Sequence, residues 1–179
     1  MKTAILFLCL SATAFAQQKE RFGQQPEQNR LASACGPAGV SYRVNRDRSQ
    51  HGPMPPVAGK ALVYFIHDAG IEFGGVTFAY PTTKYALDGS WVGAGHGDSW
   101  FAVAVAPGDH HVCAILQSSL VDERVELAHL TAEAGKSYFF RTRLILSQSV
   151  ELLELERIDS DQADYLISEY PLATATAKE

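Results

Sequence analysis

Three histidines, His96, His110 and His111, with Asp98 close to the first, come nearest to a set of residues that could do chemistry. All lie in or beside Gly- and Pro-marked turns, and turns of separate strands can converge in a folded chain. Neutral imidazoles bind zinc or copper. The spacing suits that purpose poorly. Neighbouring strand residues point to opposite faces, so His110 and His111 can share an ion only if the strand is bulged there. Neither H-x-H nor HExxH spacing occurs. Hydrogen-bonded surface histidines are the plain reading, and no cofactor is expected.

Other residue types are compatible with catalysis only in kind. Ser90, Ser99, Asp88, Asp98 and His96 include the members of a hydrolytic triad, but no Gly-x-Ser-x-Gly elbow frames either serine. Glu151, Glu154 and Glu156 are placed by alternation mostly on the solvent side of a strand or its end, and a solvated face is a plainer reading than a pair of catalytic carboxylates. The aromatics offer more. Trp91 and Trp100 flank the small-residue turn Gly93–Gly97, with Tyr80 and Tyr85 upstream, and such rings can stack on a sugar or dock a partner. Core packing of Trp100 with Phe101 is the competing reading.

These residues are held by short β-prone runs. Val40–Val44 alternates; Ala61–His67 is apolar throughout and needs cover on both faces. Thr82–Leu87 and Trp91–Gly93 flank Asp88-Gly89, a strong hairpin signal. Trp100–Val105, His110–Leu116, Val125–Thr131, Ser137–Leu146 and a run around Leu152–Leu155 follow. In Ser137–Leu146, Tyr138, Phe140 and Leu144 fall on one face. No helix-length amphipathic crossovers separate these runs. The expectation is a mostly β, antiparallel sandwich of seven or eight strands with one short C-terminal helix, Ser160–Glu169, capped by Ser160 and stopped by Pro171.

The ends of the chain carry other signals. Lys2, the apolar run Ala4–Leu10 and the small residues around Ala14-Phe15-Ala16 have the build of a secretory signal peptide, with cleavage expected between Ala16 and Gln17. Residues 17–34 read as a flexible arm, 35–173 as the domain and 174–179 as a disordered tail. Export would leave the mature chain periplasmic or secreted, with no transmembrane segment. Cleavage would also remove Cys9, and the remaining pair, Cys35 and Cys113, reads as a disulfide; it fits neither a metal-binding nor a redox CxxC pattern. The formal charge of −5 over 179 residues and the absence of a basic patch argue against nucleic acid as a partner.

Three phrases in order, Leu87–Gly93, Val105–Val112 and Ala134–Arg141, resemble an exported bacterial family, domain of unknown function 2846; the opening Gly59–Tyr64 is similar to the start of that domain. The DGxxVG and PGxHxV portion is shared with PEGA-type surface-layer domains. The resemblance covers about Gly59 to Pro171 and implies an exported β-sandwich without an established activity. The resulting expectation is a non-catalytic envelope or secreted interaction module with an envelope protein as partner, using Tyr80, Trp91 and Trp100. A glycan-binding module on the same rings is one alternative, and a metal-binding protein using His96, His110 and His111 is another.

Overall fold

A strand that is apolar on both sides needs one layer above it and another below. Ala61–His67 is such a strand, and each of its residues is buried. The layers are visible in the computed structural model, which describes residues 35–50, 52–68, 71–73, 76–79, 81–117, 125–147 and 150–178. In chain order the first strands are β1 (Tyr42–Asp47), β2 (Ala61–Asp68), β3 (Ile71–Phe73), β4 (Val76–Ala79), β5 (Thr82–Leu87) and β6 (Ser90–His96). Then come β7 (Ser99–Val105), β8 (Gly108–Gln117), β9 (Val125–Ala132), β10 (Ser137–Ser147) and β11 (Val150–Ile158). Helix α1 (Ser160–Glu169) and β12 (Leu172–Ala177) close the order.

The chain is mostly β. A six-stranded sheet, β1-β12-β7-β2-β10-β11, packs on a four-stranded antiparallel one, β6-β5-β8-β9. Between them lies the main core, with Val63 and Phe65 of β2 against Tyr85, Phe101, Val112 and Phe140. The Phe65 ring centroid is 4.8 Å from that of Tyr85 and 5.1 Å from that of Phe101. Tyr138 and Phe140 face this core with Leu144 packed beside them, as alternation along β10 requires. The opposite face of β2 presents Leu62, Tyr64 and Ile66, which α1 covers with Leu166 and Ile167. On the outer face of the four-stranded sheet, Cys35 joins Cys113 in a disulfide beside Ala86, Ile115 and Val125.

Among the described residues twelve strands stand where seven or eight were expected. Ile71–Phe73 and Val76–Ala79 pair antiparallel as a separate two-stranded sheet, β3–β4. The expected disordered tail is largely a strand: Leu172–Ala177 pairs residue by residue with β1. Its alternating Ala and Thr carry little hydrophobic signal, so only the partner strand reveals it. Two pairings in the larger sheet, β2–β10 and β7–β12, are parallel. The Asp88-Gly89 turn forms with φ of 51° and 75°, the positive pair a two-residue type I′ hairpin demands. Helix α1 spans its expected residues, but its cap is Asp159 rather than Ser160. Asp159 is extended, and its carboxylate accepts from the Gln162 amide at 2.8 Å. The signal-peptide and arm segments lie outside the described residues.

Candidate functional site

The three histidines proposed as metal ligands are held apart by the sheet. His96 and Gln117 both stand opposite Thr82, on either side of β5. His110 lies far along β8 from Gln117, about 23 Å at roughly 3.3 Å per residue. His96 is engaged locally, with Nδ1 2.9 Å from Thr82 Oγ1. Burial first, and the nearby Arg46 charge second, hold its pKa below the ordinary value. His110 has both nitrogens occupied, Nδ1 by Asp88 Oδ2 at 2.6 Å and Nε2 by the Ala106 carbonyl at 2.8 Å. Both partners only accept, so both bonds are complete only when the ring is cationic. The Asp88 hydrogen bond is the main cause that raises its pKa. His110 is thereby a lock on the hairpin turn, since Asp88 also accepts from the His111 amide at 2.8 Å. His111 alone of the three presents an exposed ring, opposite His129 of β9.

Of the triad residue types, Ser99 is bound to the backbone. Ser99 Oγ lies 3.3 Å from the Gly97 carbonyl and 3.4 Å from that of His96, so its proton goes to backbone. The buried histidine nearest Ser99 in the fold is His67, with Nδ1 2.7 Å from Gly97 O and Nε2 3.0 Å from Thr83 Oγ1. Gly95 lies against its ring, where a Cβ would come within 2.5 Å of His67 Cβ. His67 ends the apolar run of β2, so in sequence it reads as part of the strand. Glu154 and Glu156 stand opposite Arg143 and Arg141 on β10 and form ion pairs with them. Arg141 also binds Asp68, whose other oxygen accepts from the Tyr170 hydroxyl at 2.8 Å. The side chain of Glu151 lies outside the described residues.

The aromatic platform is dismantled as well. Trp100 is 2% exposed; it packs with Tyr64 under α1 and donates Nε1–H to Tyr170 O at 3.0 Å. Trp91 lies on the far side of the sandwich, donating to Pro37 O at 2.9 Å with Gly36 beneath its ring. The Lys84 ammonium sits 4.5 Å from its ring centroid. Trp91 therefore holds down the disulfide-tethered N-terminal segment, and Trp100 anchors the helix. Tyr80 lies outside the described residues.

A cleft absent from the sequence reading opens where β12 meets β7. The two strands pair only at Leu172 and Trp100, with the Trp100 amide donating to Pro171 O at 3.1 Å. Along a strand, alternate residues direct their backbone groups to the same edge. Ala102 and Ala104 therefore aim their N–H and C=O groups at the β12 side, where the described ladders give them no partner. β12 turns away to pair with β1 along its whole length. The gap holds a cavity of about 220 Å³, lined among others by Met54, Val92, Phe101, Val103 and Ala175. That is smaller than the roughly 300–1,000 Å³ of small-molecule sites. It suits one or two aliphatic side chains.

Compared with known proteins, the chain matches no protein-family model, no curated protein and no solved structure. The resemblance to domain of unknown function 2846 rests on its three phrases and the opening Gly59–Tyr64 alone.

Proposed function

We propose that the mature chain is a non-catalytic, exported interaction module, and that the β7–β12 cleft receives an extended apolar segment of a partner protein. The observation that carries this reading is the single-pair junction of β7 and β12. It leaves Ala102, which lines the apolar cleft, with its backbone groups directed to the β12 side without a ladder partner, and Ala104 farther along the same edge. An extended peptide supplies what such an edge lacks, backbone hydrogen bonds along the strand and alternate side chains for the cavity. The small side chains of Ala102, Ala173 and Ala175 leave room for it. The signal-peptide features and the resemblance to an exported family support the compartment. The glycan reading gains nothing from the geometry, since Trp91 and Trp100 are committed to packing on opposite sides of the molecule.

A displayed library of ten-residue peptides, selected against the mature protein, tests the proposal. Selected peptides should alternate apolar residues, slow amide exchange at Ala102 and Ala104, and lose binding to the cleft-filling variant Ala175→Trp. Leu127→Lys, on an exposed position of β9, should leave binding intact. Selected peptides that bind Ala175→Trp as well as the wild type, or that leave Ala102 and Ala104 exchange unchanged, would remove the cleft from consideration.

A further inference from the structure

We propose that His111 and His129 form a two-imidazole site for a late first-row divalent metal ion, taking Cu2+ in preference to Zn2+. The proposal is independent of the cleft and needs neither His96 nor His110. His111 and His129 are direct partners in the β8–β9 ladder. Backbone hydrogen bonds show which kind of pair they make. The His111 amide donates to Asp88 Oδ1 at 2.8 Å, and its carbonyl accepts from the Asp88 amide at 3.0 Å. Both peptide groups of His111 thus face the β5 side. Across to β9 the pair is non-hydrogen-bonded, the arrangement in which Cα atoms approach to about 4.5 Å and side chains come closest.

The rings already stand near a chelating geometry. Their centroids are 5.6 Å apart, with planes at 63°. An ion about 2.0–2.1 Å from one nitrogen of each ring lies a little over 3 Å from each centroid, so the cis angle of a tetragonal Cu2+ shell places the centroids about 4.5 Å apart and a tetrahedral angle about 5 Å. A small side-chain rotation closes the difference. Both residues are exposed, and β9 is the edge strand of its sheet, so water and an ion can reach the rings. Negative charge stands beside them. Asp109 Oδ1 is 3.8 Å from His129 Nε2, and the Thr131 hydroxyl donates to the same oxygen at 2.7 Å. Among the described residues no set of three or more ligating side chains is preassembled. The protein therefore supplies two nitrogens and water completes the shell. Two imidazoles and water favour Cu2+ over Zn2+ on the Irving–Williams order.

The test is calorimetric titration of the untagged mature protein with Cu2+ and with Zn2+, alongside electron paramagnetic resonance of the Cu2+ form. The wild type should bind one Cu2+ per chain more tightly than Zn2+, with two nitrogen donors in the spectrum. His111→Ala and His129→Ala should each weaken binding at least about tenfold. The double variant should be little worse than either single one, because one imidazole alone is no chelate. His96→Ala should leave the titration unchanged. His129→Asn, with far-ultraviolet circular dichroism on every variant, guards against loss of fold. Absence of Cu2+ uptake by the wild type, or equal uptake by His111→Ala or His129→Ala, would overturn the proposal.

Discussion

Acidification should destabilise this domain through His67. Its ring is fully buried, with Nδ1 against the Gly97 carbonyl and Nε2 against the Thr83 hydroxyl. A carbonyl only accepts, so Nδ1 carries the proton and Nε2 accepts from Thr83. A second proton would reverse the Thr83 bond and place a cation in a dry site. Burial, the largest cause, lowers the folded pKa to about 4 from an ordinary 6.5, even though the Gly97 carbonyl acts the other way. The folded value lies below the unfolded one. The contribution is therefore fully present above about pH 6.5 and is lost as pH falls from there to about 4. At about 1.4 kcal/mol per pH unit, the total loss is roughly 3 kcal/mol. That is a sizeable part of a typical domain stability of about 5–15 kcal/mol.

Urea unfolding of the wild type and His67→Gln between pH 4.5 and 7.5 would measure the effect. Subtracting the variant removes the other titrating groups, including His96, whose lowered pKa acts in the same direction. The difference should rise by about 1.4 kcal/mol per pH unit through pH 5 to 6 and flatten above about 6.5. Nuclear magnetic resonance of the wild-type ring gives a readout that does not depend on the variant folding. A pH-independent difference, or a folded His67 titrating near 6.5, would refute the reasoning.

The hairpin lock titrates in the opposite sense. His110 should show a folded pKa above the ordinary value, so its contribution is present below about pH 6.5 and disappears as pH rises through the folded pKa. Asp88→Asn should bring the His110 titration down, which resonance spectroscopy would follow. Removing the disulfide by Cys35→Ser and Cys113→Ser frees a loop with a sequence separation of 78. The chain-entropy model puts the loss at about 4.5 kcal/mol. Chemical unfolding should show it, together with increased exposure of Trp91 by fluorescence quenching.

Strand positions were readable wherever a local pattern carried them. The two-sided burial of Ala61–His67, the Asp88-Gly89 hairpin and the common face of Tyr138, Phe140 and Leu144 all follow from side-chain period and turn chemistry. So does α1, whose boundaries are marked by polar caps and Pro171. β12 was not readable, because its Ala and Thr residues bury little apolar area and are ordered by pairing with β1. Site residues were harder. Trp100 and Trp91 occur near one Gly-rich turn, yet one packs under a helix and the other over Gly36. His129 sits in an alternating run that assigns its face but not its neighbour.

By itself the sequence determined the fold class, the turns and the faces on which most core residues lie, since these depend on interactions between residues close in the chain. The expected pairing of Cys35 with Cys113 rested on the signal-peptide reading setting Cys9 aside, and the structure joins the two. Register and strand order were decided only by the tertiary structure. They place His111 opposite His129 and set His96 of β6 level with Gln117, at the far end of β8 from His110. They also leave the edge of β7 open beside β12. A shift of one residue in register would exchange the faces of every side chain on a strand. Such choices are settled by packing both sheets at once, and no local stretch of the sequence contains that information.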